Sequence, residues 1–170
     1  MAIVKGQEMY TTNEEDEKAV LELQKRISNA NASPPNTALN TSQAPPDWTP
    51  VSSVSIDEGQ WKYVLISATE PYYTDESDEC YTAFFATSKR GASYHRDAAE
   101  PYVDLLQSKG YRNIHVSGGG RIHLNSEEKK IRIYGFSYGF GLADHANSKR
   151  VIERDDRFKG YDITWSNDGY

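Results

Sequence analysis

A histidine, His95, lies just before the amphipathic stretch "AAEPYVDLLQSKG" (98–110), which predicts a helix that ends at a glycine. Asp97 with Glu100 three residues later is typical of a capping box, which would place Pro101 in the first turn. The exposed N–H groups and the macrodipole at a helix N-terminus favour anions and disfavour a protonated imidazole. A neutral imidazole beside an anion site can act as a general base or a nucleophile. A cap or surface role remains the alternative for a single histidine.

Two glycine-rich segments and one lysine could supply the anion site that such a histidine needs. In "VSGGGRIHL", Gly118–Gly120 let backbone N–H groups approach an oxyanion, and Arg121 can donate two hydrogen bonds to phosphate. In "YGFSYGFGLADH" (134–145) a strand gives way to a helix, and Ser137 could add its hydroxyl to the backbone donors there. Both segments are also compatible with ordinary turns. Lys62 lies on a predicted strand, an unusual place for a cation that has no partner.

The sequence gives little support for a metal site, a catalytic cysteine or a nucleotide-binding motif. The remaining histidines, His115, His123 and His145, form no H-x-x-x-H pair, so we expect no metal and no cofactor. The single cysteine, Cys80, cannot form an internal disulfide and is expected to pack beside a strand. It also lacks the arginine six residues later that a cysteine-dependent phosphatase would need, because Ala86 stands there. The sequence has no Walker A motif, nucleophile elbow or dinucleotide fingerprint.

Composition and charge limit the kinds of partner that the protein can have. The 170 residues include 19 Lys and Arg against 25 Asp and Glu, and this net charge of −6 disfavours a nucleic-acid binder. No long apolar run is present, so we expect no membrane span. The N-terminal stretch resembles neither a secretory signal nor a transit peptide, which predicts a cytoplasmic protein. We also expect a monomer.

Alternating apolar residues predict six strands that would carry these candidate residues. Ile122 and Leu124 point to one side of their strand, whereas Arg121 and His123 point to the other. The segment "NSEEKK" predicts a hairpin, so at least one strand pair is antiparallel. The predicted strands cover residues 61–69, 80–87, 112–117, 121–125, 130–136 and 161–166.

Two helices accompany these strands in the prediction. The first has Ala98, Tyr102, Leu105 and Leu106 as its apolar stripe, and the second covers residues 142–154. Six strands and two helices predict the α/β (α+β) class, with a single mixed six-stranded sheet flanked by two helices.

Residues 1–50 differ in composition from the rest and are predicted to extend a domain that covers residues 51–170. Residues 12–29 predict a helix with Val20, Leu23 and Ile27 at helical spacing. This stripe is narrow, so a marginal helix on a tail, light packing on the domain and a partner-binding segment all remain open. The stretch "NASPPNTALNTSQAPPDWTP" after it is too polar to order itself and predicts a linker.

Several separated motifs, taken in order, resemble the phosphohistidine phosphatase family, also called the Janus/Ocnus family. The resemblance covers nearly all of residues 54–170 and leaves the N-terminal extension outside. The stretches that carry it are "WKYVLI", "SYHRD", "GGGRI", "KKIRIYGFSYGFG", "DHA" and "YDITWSNDGY".

The resemblance implies a small, metal-independent protein phosphatase, with a mixed sheet between two helices, that acts on phosphohistidine in proteins. It implies that His95 is the catalytic histidine, acting as general base or nucleophile. The phosphate-binding residues that it implies are Lys62, Arg121 and the turn of Ser137, Tyr138 and Gly139, with Tyr94, Gly119, Gly120 and His145 in support.

Two positions depart from the family pattern. Arg96 follows the histidine where the family commonly has a small residue, so it could contact the substrate or narrow the cleft. Tyr138 stands where some members have methionine. Both departures bear on substrate preference, and they keep a second hypothesis open, a module that binds phosphohistidine or another phosphorylated side chain without cleaving it. A third hypothesis gives the N-terminal helix and linker a scaffolding or regulatory role.

Overall fold

A computed structural model describes residues 2–32, 44–72 and 82–168 of the chain. The first two residues of the predicted strand 80–87 lie outside the described residues, and so does Cys80.

A single mixed sheet forms the centre of the fold, which confirms the predicted class. Its order is β1-β3-β2-β4-β5-β6, with β1–β3 and β5–β6 parallel and the other neighbouring pairs antiparallel. The strands are β1 (Val54–Ser55), β2 (Gly59–Thr69), β3 (Thr82–Ser88), β4 (Arg112–Asn125), β5 (Lys130–Tyr134) and β6 (Asp162–Trp165). The predicted hairpin joins β4 to β5.

Two details of the strand prediction are wrong. The short parallel strand β1 was not predicted, and the segments 112–117 and 121–125 form one continuous strand, β4. The glycines between these segments do not interrupt pairing, because β2 runs alongside: Tyr63 pairs with Gly120 and Val64 with Gly119. This pairing has two register shifts, one between Leu65 and Ile66 beside Gly118 and one between Ser67 and Thr69, opposite residues 112–115.

In the described part of the chain, three α-helices cover the sheet: α1 (Ala2–Ala32), α2 (His95–Ser108) and α3 (His145–Glu153). A 3₁₀ turn, Asp156–Phe158, follows α3. Helix α3 begins three residues later than predicted because the Asp144 carboxylate accepts a hydrogen bond from the Asn147 N–H at 3.1 Å and caps the helix there. The predicted apolar stripe of α2 is wrong at one position: Leu105 is 40% exposed, whereas Val103, which was not predicted, is fully buried.

The start of α2 also differs from the prediction. Tyr94, rather than Asp97, is the N-cap, and His95 is the first helical residue. Asp97 occupies the third helical position and accepts a hydrogen bond from the Tyr94 N–H at 2.9 Å. Pro101 is therefore the seventh residue of α2 and not a first-turn residue.

The sheet separates two apolar layers. On one face, Val64 and Ile66 pack against α2 and against Val20, Leu23 and Ile27 of α1. On the other face, Leu65, Ile122 and Ile133 belong to a second cluster that includes Val151 and Ile152 of α3. Neighbouring residues of one strand point to opposite faces, so β2 and β4 present side chains to both layers.

Candidate active site

His95 lies at the N-terminus of α2 and reaches down to the middle of the sheet. The Tyr94 cap fixes where the helix begins, and this places His95 Nε2 3.0 Å from the carbonyl oxygen of Gly120. A carbonyl oxygen can only accept, so Nε2 carries the proton in this bond, and Nδ1 is the basic nitrogen of the neutral ring. The side chain is 1% exposed, so its ring orientation is set by the fold.

Gly119 is what allows His95 to approach the sheet so closely. A Cβ placed on Gly119 would come 2.9 Å from His95 Cδ2 and 3.1 Å from Ser137 Cβ. The first distance is shorter than real Cβ atoms show and the second is tight, so both side chains pack directly against the backbone of β4. The glycine run is not a turn, which was one of the two alternatives for this segment, because it lies within β4. The Gly119 N–H donates to the Gly141 carbonyl at 3.0 Å.

Lys62 and Arg121 lie on the same face of the sheet as His95. They are directly opposite each other in the antiparallel register of β2 and β4, so their side chains project to one side. Lys62 stands two residues before Val64, which packs toward α2, and it is only 8% exposed. Its Nζ lies 5.8 Å from the ring centroid of Tyr94, in the range of a cation–π contact.

The turn from Ser137 to Gly141 completes this side of the group. Two backbone hydrogen bonds close it, Ser137 N–H to the Gly141 carbonyl at 3.1 Å and Gly141 N–H to the Ser137 carbonyl at 2.8 Å. The buried Ser137 Oγ accepts from the Phe140 N–H at 3.1 Å and retains a hydroxyl proton that it can donate. Tyr138 packs edge-on against Phe136, with ring centroids 4.8 Å apart.

His145 lies against the opposite face of the sheet. A Cβ placed on Gly120 would come 2.9 Å from His145 Cε1. His145 Nε2 donates to the Gly135 carbonyl at 2.8 Å, so Nδ1 accepts from the Tyr63 hydroxyl at 2.5 Å. The Tyr63 oxygen lies 3.2 Å from Ser148 Oγ, which completes a buried chain of hydrogen bonds.

Burial dominates the ionisation of this chain. It lowers the pKa of His145 below its ordinary value, and the bond to the Gly135 carbonyl opposes that shift only in part. It also raises the pKa of Tyr63 well above its ordinary value. Both side chains are therefore neutral near pH 7, with both nitrogens of His145 committed to protein partners.

Arg96 makes its contacts away from the sheet. Its guanidinium lies 2.6 Å from Glu100 Oε2 on α2 and 3.2 Å from Glu22 Oε2 on α1. Tyr94 also meets α1, through a hydrogen bond from its hydroxyl to Glu15. The residues on either side of His95 thus tie the start of α2 to the N-terminal helix.

The structure brings together most of the residues singled out in the sequence. One face carries His95, Lys62, Arg121 and the Ser137–Gly141 turn around Gly119, whereas His145 lies on the other face beneath Gly120. The interactions of Arg96 described above join helices. Sequence reasoning missed Tyr63, although a tyrosine in the middle of the apolar run "YVLI" signals a buried hydroxyl that needs a partner. It also missed the approach of Glu15 and Val20 to the site.

Within residues 2–32, 44–72 and 82–168, no group of three or more His, Cys, Asp or Glu side chains is arranged to hold a metal ion. None of the helices there combines the length and the apolar character needed to cross a membrane.

Comparison with known proteins places the chain among its relatives. It is 37% identical to the 14 kDa phosphohistidine phosphatase of Sus scrofa over 129 residues, which cover 73% of this chain and 96% of that protein. It is 34% identical to the protein of the same name from Homo sapiens over 125 residues, 71% of this chain and 94% of the relative.

Relatives with a different name match almost as well. The sex-regulated protein janus-A of Drosophila pseudoobscura pseudoobscura is 34% identical over 125 residues, covering 73% of this chain and 80% of that protein. The sequence model of the Janus/Ocnus family matches residues 48–162, the part of the chain that holds strands β1 to β5, the first residue of β6, α2, α3 and His95. This chain therefore belongs to the Janus/Ocnus family.

Proposed function

We propose that this protein is a phosphohistidine phosphatase that hydrolyses the phosphoramidate bond of phosphohistidine in proteins, without a metal ion. Relatives named 14 kDa phosphohistidine phosphatase support the reaction class. The observation that carries the proposal is the orientation of His95, whose Nε2–H is directed at the Gly120 carbonyl. This bond makes Nδ1 the proton-accepting nitrogen, and it holds the ring in that tautomer.

His95 can act through Nδ1 in either of two ways. As a general base it takes a proton from water while the water oxygen bonds to phosphorus and the P–N bond to the substrate imidazole breaks. As a nucleophile it bonds to phosphorus itself while the P–N bond to the substrate imidazole breaks, and water then cleaves the new P–N bond. In both routes water gives its oxygen and one hydrogen to the phosphate, and its second proton balances the one that the substrate imidazole takes up as it leaves.

The remaining residues of this face would bind the phosphoryl group. Lys62 and Arg121 supply positive charge from neighbouring strands, and Arg121 can donate two hydrogen bonds to phosphoryl oxygens. Ser137 can add its hydroxyl proton, and the turn to Gly139 can add backbone N–H groups. A phosphoramidate bond to imidazole is labile, so positioning and charge neutralisation account for most of what the protein must supply.

The test is release of phosphate from a peptide that carries chemically phosphorylated histidine. We expect release by the wild-type protein to be unchanged by EDTA, and the His95→Ala variant to lose activity while keeping its folded circular dichroism spectrum. His123→Ala is the matched control, because His123 is an exposed histidine on the same strand as Gly120. Equal activity of His95→Ala and wild type would exclude His95 as the catalytic residue.

A second candidate function is binding of phosphohistidine without cleavage. The observation in its favour is that His95 is 1% exposed, which restricts the access of water and substrate to the ring. The phosphohistidine peptide distinguishes binding from hydrolysis. A binding module would bind the peptide but release no phosphate from it, even with the protein in excess.

A further inference from the structure

Helix α1 packs directly on the turn that we assign to phosphate binding. Val20, in the second half of this helix, is 1% exposed. A Cβ placed on Gly139 would come 2.6 Å from Val20 Cγ2 and 2.9 Å from Val20 Cβ. The methyl groups of Val20 thus occupy the space next to the Gly139 backbone, and only glycine fits there.

This contact holds the tip of the turn, whereas other contacts hold its base. At the base, hydrogen bonds join Ser137 to Gly141 and Gly141 to Gly119 of the sheet. Tyr138 and Gly139 lie between these bonded positions, and Val20 closes over Gly139 from the side of α1. The position of the tip therefore depends on a side chain from outside residues 48–162, the part matched by the family model.

Polar contacts also join α1 to α2, but they are exposed. Arg26 lies 2.6 Å from Asp104, with the two side chains 42% and 55% exposed. Glu22 lies 3.2 Å from Arg96, and the Glu22 side chain is 73% exposed. Exposed ion pairs contribute little because solvent screens them. The buried stripe of Val20, Leu23 and Ile27 therefore dominates the docking of α1.

We propose that Val20 is a positioning residue for the phosphate site: by packing on Gly139 it fixes the Ser137–Gly141 turn, so that phosphoryl binding depends on helix α1. The inference rests on the proposed function in one respect, that this turn binds the phosphoryl group. It adds a role for the N-terminal extension. A displacement of about 1 Å in a substrate-positioning element is enough to weaken the reaction strongly.

The experiment compares Val20→Ala with Leu23→Ala in the full-length chain. Both residues belong to the buried stripe of α1 and are 1% and 2% exposed, but it is Val20 that packs against the backbone of Gly139. We measure KM and kcat with the phosphohistidine peptide, the Kd for inorganic phosphate by calorimetry, and Tm.

Val20→Ala should raise KM and the phosphate Kd by roughly tenfold with a smaller change in kcat, because the turn binds the phosphoryl group before and during reaction. Leu23→Ala should lower Tm at least as much and leave KM and Kd within about twofold, since its loss is one of packing. Val20→Thr, which keeps both γ atoms, should restore KM and Kd to near the wild-type values.

Equal shifts of KM and Kd in Val20→Ala and Leu23→Ala would overturn the proposal, and so would no shift in either. A wild-type protein that binds no phosphate would overturn it as well. If the wild-type protein binds phosphate but releases none from the peptide, the proposed catalytic function fails, and the phosphate Kd alone still decides the role of Val20.

Discussion

The two buried histidines of this protein lie on opposite faces of one strand, against neighbouring glycines. His95 rests on Gly119 and His145 on Gly120, and each is 1% exposed. Each donates its Nε2–H to a carbonyl oxygen, Gly120 for His95 and Gly135 for His145. In burial and in tautomer the two side chains are therefore nearly equivalent.

They differ in what surrounds Nδ1. For His145 this nitrogen accepts from the Tyr63 hydroxyl, which Ser148 in turn contacts, all within the apolar layer beneath α3. His95 instead lies at the start of α2, on the face of the sheet that also carries Lys62 and Arg121. Burial alone therefore does not identify a catalytic histidine. The residues around it are the better guide, and under the proposed function the face of His95 carries the chemistry while the face of His145 contributes to stability.

The largest expected effect separates activity from stability at the two histidines. His95→Ala should lower kcat by a factor of roughly 10²–10⁴, the usual contribution of a general base. His145→Ala should instead lower the free energy of unfolding by about 1–3 kcal/mol, because it leaves the buried Tyr63 hydroxyl without its acceptor. Phosphate release and urea unfolding measure the two effects, and a greater loss of activity in His145→Ala would reverse the assignment.

The next effect concerns the two glycines. Gly119→Ala would place a Cβ 2.9 Å from His95 Cδ2, and Gly120→Ala would place one 2.9 Å from His145 Cε1. Both should cost about 1–3 kcal/mol as overpacking. Only Gly119→Ala should also lower kcat/KM by roughly tenfold or more, because it displaces His95. Steady-state kinetics at a temperature where both variants are folded tests this. Equal kcat/KM values for the two variants would show that a Cβ at Gly119 does not displace His95.

A smaller effect is expected from Tyr63→Phe. The change removes the hydroxyl that bonds His145 and should lower the free energy of unfolding by about 1 kcal/mol, with kcat nearly unchanged. Tyr161→Phe is the control, a partly buried tyrosine packed against the same apolar layer, and it should stay within about 0.5 kcal/mol of wild type. Similar unfolding curves for Tyr63→Phe and Tyr161→Phe would show that the buried hydrogen-bond chain does not contribute to stability.

The smallest effect is a pH dependence of stability from His145. Burial lowers its pKa in the folded protein, so just below pH 6.5 the unfolded chain binds more protons than the folded one. The stabilisation is complete above about pH 6.5 and is lost as the pH falls, with a limiting slope of about 1.4 kcal/mol per pH unit for one proton. Unfolding of wild type and His145→Gln between pH 5.5 and 7.5 should differ in slope, and parallel curves would contradict this origin.

Much of the fold could be predicted because local patterns and tertiary packing agree. Ile122 with Leu124 and Ile131 with Ile133 alternate as strands do, and both pairs are buried on the face beneath α3. The helix that begins at His95 was also predicted from local signals, its apolar stripe and the glycine at its end. The merger of two strands into β4 could not be predicted, because glycine normally weakens a strand and only the partner strand β2 shows that pairing continues.

Local sequence patterns predicted the class of fold, the position of His95 near a helix start and the cationic and hydroxyl side chains that could bind an anion. These depend on periodicity and capping, which act over a few residues. The three-dimensional fold places Lys62 and Arg121 on the face of His95, His145 on the other face, and Val20 of α1 against Gly139. These relations join residues far apart in the chain, and they depend on strand register and on the close approach that glycine permits.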